Sequence, residues 1–356
     1  MVELSAVEKV ERVVVRGLAT VPPRVLEALV RRRPVNADGE RLAPEIALAL
    51  AALNRLPGSD FSDRPLPEAR HQIDAEALVF ADPDGPVAVE EEIEIPGPAG
   101  PIPATRYRAR VGTPKGLVVY FHGGGWVLGS RLSTASPVRF LARHAEVDVL
   151  SVDYRLAPEH PFPAALEDAR AAWEYAVAHA PSWGVAPDRI ALAGDSAGGN
   201  LSAVLALDLR GEPVVPAYQL LLFPVTDLSR RSASYAEFAE GFFLTAKQMD
   251  WYAERYLTDP AQASDPRVSP LLAEDLTGAP PAYVAVAGFD PLRDEGIAYA
   301  ERLRAAGVPV RLAREGDLIH AFVNITGVSR RAHAATLAAA HAVRDALAGT
   351  TAGPTE

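Results

Sequence analysis

From residue 87 onward the chain alternates short apolar runs with helix-like segments, and this alternation confines it to one class of architecture. LVVYF (117–121), VDVLSVDY (147–154), RIALAG (189–194), YQLLLFP (218–224), AYVAVAG (282–288) and VPVRLARE (308–315) read as strands. Such apolar runs are expected where a strand is buried on both faces of a parallel sheet. Between them EDARAAWEYAVAHA (167–180), AGGNLSAVLALDLR (197–210) and AYAERLRAAG (298–307) read as helices, and RRAHAATLAAAHAVRDAL (330–347) is a long terminal one. Strand and helix in turn imply a mostly parallel sheet with helices on both faces. Ahead of it, VAVEEEIEI (87–95) and ATRYRARV (104–111), separated by PGPAGPIP, predict a hairpin pair.

Two regions stand outside the alternation. Residues 1–85 read as a helical region of their own. Leu4, Val7, Val10, Val14 and Leu18 form an apolar stripe, VLEALVRRR (25–33) predicts a short helix, and APEIALALAALNRL (43–56) predicts a stronger one. The stretch 57–86 is rich in Pro, Asp and Gly and reads as loop. The second region is the interval between the strands ending at 224 and starting at 282, roughly 60 residues and too long for an ordinary connection. It contains the aromatic-rich, partly helical FAEGFFLTAKQMDWYAERYL (238–257). An insertion there is expected above the carboxyl ends of the strands, where open sheets bind ligands.

The apolar share of 49% excludes a disordered chain, which lacks the surface needed to offset ordering entropy. A net charge of −11 disfavours nucleic acid and anionic membranes, and the one basic run, Arg31 to Arg33, is too short to reverse that. Cysteine is absent, which removes disulfides, thiolate metal sites and cysteine nucleophiles. No stretch approaches the ~18 apolar residues of a membrane span, and the first residues mix charges through their apolar positions, unlike a secretory signal. The expectation is a soluble cytoplasmic protein with no membrane or nucleic-acid partner.

The chemistry concentrates at strand ends. GDSAG (194–198) is a G-x-S-x-G that follows an apolar strand and opens a helix. That context makes Ser196 a candidate nucleophile, raised on a sharp turn whose neighbours must be small. The helix N-terminus beneath it favours developing negative charge. FHGGGW (121–126) follows LVVYF directly. Its three glycines let backbone N–H groups approach a ligand. No G-x-G-x-x-G and no Lys-Ser or Lys-Thr extends it into a phosphate loop. An oxyanion site built from the N–H groups of Gly124, Gly125 and Ala197 fits better, with His122 as a support for the loop.

A serine nucleophile needs a base, and the base an orienting acid, in the chain order Ser, acid, His for this architecture. Of eight histidines only His320, His333 and His341 follow Ser196. The last two lie within the C-terminal helix, whereas His320 follows the last strand. For the acid, GFDPLRDEG offers Asp290, Asp294 and Glu295. Asp290, nearest the strand end, is favoured on position, the other two being placed to serve as N-terminal charges of the next helix.

FHGGGW, YRLAPEHPFPAALED (154–168), GDSAGGN, DPLRDEG and His320-Ala321-Phe322 together resemble the bacterial hormone-sensitive lipase family of carboxylesterases, in its GDSAG branch, over residues 85 to 345. The resemblance implies the α/β-hydrolase fold over residues 86–350, with a helical cap built from residues 1–85 and an insertion at about 230–262. It maps the triad onto Ser196, Asp290 and His320 and the oxyanion donors onto Gly124, Gly125 and Ala197. It implies no metal and no organic cofactor, a small-molecule ester as substrate, and a possible homodimer along the last strand and C-terminal helix. Ala321 departs from the glycine usual after the family's histidine. Tyr154, Arg155 and Glu159 are expected to pair with the oxyanion loop. Trp126, Leu128, Asp195, Phe242, Phe243 and Leu244 are candidate substrate-binding residues, with Trp126 shortening the space beside the scissile bond. The expected activity is a serine carboxylesterase for short- to medium-chain acyl esters. An amidase, lactonase or natural-product deacetylase would use the same mechanism. A ligand-binding protein on a hydrolase scaffold would be expected to lose a triad member, and none is lost.

Overall fold

Residues 20–30, 32–55, 60–82 and 85–349, with positions 9, 12, 13, 16 and 17 singly, are described by the computed structural model. The apolar stripe at Leu4 to Leu18 lies outside the described residues. Eight strands, β1 (Val89–Gly97), β2 (Gly100–Arg108), β3 (Leu117–Phe121), β4 (Asp148–Val152), β5 (Ile190–Asp195), β6 (Tyr218–Leu222), β7 (Ala282–Phe289) and β8 (Val310–Ile319), form one sheet in the order β1-β2-β4-β3-β5-β6-β7-β8. The β1–β2 and β2–β4 pairs are antiparallel and every other pair is parallel. This is the mostly parallel sheet that the alternation implied, in the α/β-hydrolase arrangement that the resemblance implied.

The sheet is accompanied by helices α1 (Pro23–Leu29), α2 (Pro44–Leu53), α3 (Leu66–Phe80), α4 (Ala135–Ala145), α5 (Ala164–His179), α6 (Ala197–Asp208), α7 (Ala233–Glu237), α8 (Ala246–Tyr256), α9 (Arg293–Ala305) and α10 (Arg330–Leu347). Strand periodicity sends neighbouring side chains to opposite faces. Leu117, Val119 and Phe121 of β3 pack with α5 and α6 residues such as Ala169, Trp173 and Leu201. Val118 and Tyr120 pack on the other face with Leu141 of α4 and Ala339 and Val343 of α10. The alternation did not reveal α4, an amphipathic helix with Val138, Phe140 and Leu141 buried.

Three boundaries differ from expectation for identifiable reasons. The stretch 57–86, expected to be loop, contains the fifteen-residue α3. Its prolines sit at the N-cap and in the first turn, where a missing N–H costs nothing, and it buries Ala69, Ala75 and Val79 along one face. The β1–β2 hairpin runs through the proline-rich separator until only Pro98 and Ala99 are left to turn. Ile95 and Ile102, paired and buried, hold that register. Strand β8 continues four residues beyond 315, to the residue before His320.

A buried ion pair fastens the antiparallel edge. Arg108 of β2 lies opposite Asp148 of β4 and donates from Nε and Nη2 to the two carboxylate oxygens at 2.7 and 2.8 Å. Asp148 is fully buried, so removing the guanidinium leaves an unpaired carboxylate in the interior. The Arg108→Met variant is expected to lose about 3 kcal/mol of unfolding free energy, read from urea denaturation. A loss below about 1 kcal/mol, the range of exposed pairs, would show that the pair carries no such weight.

Candidate active site

The glycine loop, Ser196, Asp290 and His320 stand at the carboxyl ends of β3, β5, β7 and β8. β5 ends at Asp195 and α6 begins at Ala197, so Ser196 is the single residue between them, with φ 53° and ψ −117°. That left-handed conformation is strained for a serine. Its N–H donates to the Leu222 carbonyl of β6 at 2.9 Å, which holds the turn. The turn also presses α6 against β3. A Cβ on Gly198 would lie 1.9 Å from the Phe121 carbonyl oxygen, so only glycine fits there.

His320 follows β8 and reaches back over the strand ends. Its Nε2 lies 3.1 Å from Ser196 Oγ, and its Nδ1 lies 2.8 Å from Asp290 Oδ2. Because an ionised carboxylate only accepts, Nδ1 carries the proton and Nε2 is left to accept from the serine. The other Asp290 oxygen accepts from the Leu292 N–H at 2.9 Å, which fixes the carboxylate plane. Phe223, at the end of β6 with φ 38°, sets its ring edge-on against the imidazole at 4.8 Å between centroids. Ser196 and His320 are 8% and 6% exposed, and Asp290 is fully buried.

The glycine loop faces this trio. The N–H groups of Gly124, Gly125 and Ala197 find no acceptor among the described residues. The loop is held from below. Asp195 accepts from the Tyr120 hydroxyl at 2.8 Å and the Gly123 N–H at 3.1 Å. The Tyr154 hydroxyl donates to the His122 carbonyl at 2.7 Å, and the two rings stack at 4.3 Å. His122 is thus a loop support, as expected. Burial pushes the Asp195 carboxyl above its usual range, against the hydrogen bonds that pull it down.

The family model described as the α/β hydrolase fold matches residues 118–324. The chain is 45% identical over 323 residues to the carboxylic ester hydrolase LipN of Mycobacterium tuberculosis, covering 87% of this chain and 85% of that one. It is 44% identical over 238 residues to the carboxylesterase NlhH of M. tuberculosis, covering 65% and 74%. Among solved structures, an ester-hydrolase from the metagenome of Lake Arreo, complexed with a bipyridine phosphonate derivative, superposes with a TM-score of 0.79. That pair is 39% identical, over 85% of this chain and 98% of the other. The chain belongs to the hormone-sensitive lipase family of α/β hydrolases.

Within that family frame several expected contacts fall elsewhere. Trp126 is buried with its indole stacked on Tyr256 of α8 at 4.2 Å, and Leu128 is buried in the same core. Both pack in the core that the glycine loop shares with the inserted segment. Asp195, expected at the substrate, has its carboxylate engaged by Tyr120 and Gly123. Phe242 packs between Phe238 and Phe289, and Leu244 is buried with α8. Phe243, 39% exposed with φ 77°, is the most exposed of the six.

Arg155, expected at the glycine loop, instead grips Asp168 at 2.8 Å. Glu159 reaches the loop only through Arg70 of α3, which also donates to the Val127 carbonyl at 3.0 Å. Among the described residues no group of three or more His, Asp or Glu side chains is arranged to hold a metal ion.

Asp294 and Glu295 do lie in the first turn of α9, and each also has a second task. Asp294 accepts from the Ser234 N–H of α7 at 2.8 Å. Glu295 is buried and accepts from the N–H groups of Thr226 and Asp227 at 2.7 and 3.2 Å. Burial pushes its carboxyl up to about 8, with the neighbouring Asp227 and Asp290 adding to the shift against the two N–H groups. A folded-state pKa above the unfolded one means that stability from this group is fully present below about 4.3 and is lost as pH rises through about 8. Glu295→Gln keeps an acceptor for both N–H groups and cannot ionise. Its stability relative to wild type is therefore expected to improve steadily between pH 5 and pH 8.5 in urea melts. A constant difference across that range would contradict the raised carboxyl.

Proposed function

We propose that Ser196, His320 and Asp290 form the catalytic triad of this chain, that the N–H groups of Gly124, Gly125 and Ala197 form its oxyanion hole, and that its substrates are short- to medium-chain acyl esters. The chain itself is a carboxylic ester hydrolase. The observation that carries the residue assignment is the continuous line from Asp290 Oδ2 through both ring nitrogens of His320 to Ser196 Oγ, at 2.8 and 3.1 Å. In this reading His320 takes the serine proton while Oγ attacks the ester carbonyl. The new oxyanion accepts from the three backbone N–H groups. His320 then passes the proton to the departing alcohol oxygen, leaving an acyl-enzyme. Water attacks it with His320 acting again as base. Asp290 stays ionised throughout and keeps the imidazole in the required tautomer.

The cap is part of the same proposal: residues 1–85 and about 230–262 cover a catalytic domain at 86–350. Supporting it, Phe61 packs against Trp251 and Tyr252 of α8, Lys247 pairs with Asp60 and Asp63, and the Tyr252 ring lies directly on Gly125. Charges run through the cap: Glu237, Glu240, Lys247, Asp250, Glu254 and Arg255 interleave with its aromatics. A lipase acting at an oil–water interface needs a broad apolar lid face, which this pattern does not provide.

Hydrolysis of p-nitrophenyl acetate gives the first test of the site. Ser196→Ala is expected to lower kcat about 10⁴–10⁶-fold with the fold intact. An organophosphonate is expected to label Ser196 alone by peptide mass spectrometry. Asp290→Asn should cost about 10⁴-fold and Asp294→Asn under about tenfold, because only the first releases the imidazole tautomer. Equal losses from the two would overturn the choice of acid.

Chain length tests the substrate class. Each CH₂ that fits contributes roughly 0.8 kcal/mol, so kcat/KM should rise with acyl length until the pocket ends, within about C2–C8. Tributyrin should be hydrolysed below its solubility limit with no jump above it. Strong interfacial activation on emulsified triolein would refute the short-chain reading.

A further inference from the structure

We propose that Asn36 is a positioning residue for the Asp290–His320 pair, acting through the bulge from which both groups emerge. This rests on the triad reading above. β7 and β8 pair regularly up to Ala287 and Glu315, and the next pair is Phe289 with Ile319. Gly288 alone therefore faces residues 316–318. The backbones cross so closely there that a Cβ on Gly288 would lie 2.0 Å from the Gly316 carbonyl oxygen. Asp290 stands two residues beyond this crossing on one strand, and His320 follows it on the other. Any slack in the bulge would pass directly into the Asp290–His320 hydrogen bond.

The segment 35–43 closes on this crossing from outside the sheet. Asn36 and Glu40 bracket a tight turn, with Asn36 N–H donating to the Glu40 carbonyl at 3.0 Å and Glu40 N–H to Asn36 Oδ1 at 2.8 Å. The turn presents Asn36 Nδ2 to the Gly288 carbonyl at 3.1 Å, in a buried contact between residues far apart in the chain. Arg293 donates to the same carbonyl at 3.3 Å. The Glu40 carboxylate lies over Gly316, and the Ala43 N–H donates to the Asp317 carbonyl at 2.9 Å. One turn thus holds both sides of the bulge. A bulge leaves backbone groups without ladder partners, and the Asn36 amide supplies one for a carbonyl that water does not reach.

The same turn touches the inserted segment. The Ala37 N–H donates to Glu237 at 2.6 Å, and Glu237 also pairs with Arg293 at 3.3 Å. The Asp290 loop, the His320 loop and the insertion therefore share one fastening point.

Two substitutions remove the clamp. Asn36→Ala deletes the whole amide. Asn36→Asp keeps an acceptor for the Glu40 N–H but donates neither to Gly288 nor to the Glu40 carboxylate, which Nδ2 also meets at 3.0 Å. Kinetics are measured per active site titrated with an organophosphonate, so that misfolded protein is not counted. Both variants are expected to lose about 10–100-fold in kcat with KM changed less than roughly twofold. The downfield proton signal of the His320 Nδ1–H···Asp290 bond should shift or broaden in both. Arg33→Ala, which removes a hydrogen bond to the Leu42 carbonyl on the same segment, should leave kcat unchanged. The proposal is overturned by normal kcat per titrated site, by a rise in KM without loss of kcat, or by an unmoved proton signal. Failure of the triad reading would look different: Asp290→Asn would then be no worse than Asp294→Asn, whatever the Asn36 variants do.

Discussion

The site depends on a backbone contact before it depends on any side chain. Where β3, β5 and β6 end, Gly198 is pressed against the Phe121 carbonyl and the Ser196 N–H is tied to Leu222. These contacts hold Ser196 at φ 53°, a conformation that costs on the order of 1–3 kcal/mol. The strain persists because the surrounding strands leave nowhere to relax. All residues of β3, β5, β6 and β7 are buried, and helices cover both faces. A rigid sheet of this kind turns five strand ends into five fixed points. From them project the glycine loop, Ser196, Phe223, Asp290 and His320.

That dependence explains which parts were legible in the sequence. Ser196, Asp290 and the glycine loop sit where an apolar run stops, and the change of pattern marks each position without any knowledge of contacts, whereas His320 is picked out by chain order. Helix α3 was hidden because its first turn carries prolines that look like loop chemistry. The stacking partner of Trp126 was hidden for a related reason. An apolar residue beside a site reads as a pocket wall, and only the position of α8 shows that Trp126 stacks beneath Tyr256. Phe223 could not be found from sequence, since neither its positive φ nor its approach to His320 leaves a local mark. Arg155 and Glu159 carried the right motif but their partners, Asp168 and Arg70, are set by tertiary packing.

The proposed cap is held by two kinds of contact of unequal weight. Lys247 with Asp60 and Asp63 is an exposed cluster, which solvent and salt screen. Phe61 against Trp251 and Tyr252 removes large aromatic surfaces from water and adds ring geometry worth about 0.5–1.5 kcal/mol per pair. The aromatic contact therefore dominates the closure, while the charges fix its register and keep the outer surface wet. Gln248 joins the two kinds, closing the capping box of α8 and donating to Asp60 at 3.1 Å. The helix start that orients Tyr252 over Gly125 is thus the same one that meets the N-terminal segment.

Ala321 shows how such a frame tolerates a departure from its family's pattern. It occupies φ 63° directly after His320, a conformation that glycine adopts freely and alanine does not. The strain is about 1–2 kcal/mol, but glycine would lose roughly 0.5–1 kcal/mol more chain entropy on folding, so the net difference is small. What alanine gains is definition. Its neighbour Phe322 is fully buried against Phe223, and Phe223 packs on the imidazole, so the turn is held on both sides. With β8 pairing again with β7 at Ile319 just before His320 and Phe322 anchored beyond it, the backbone at 321 is held on both sides. The imidazole therefore keeps its reach to Ser196 through packing, and the glycine usual in the family is a convenience of the turn rather than a requirement of the chemistry.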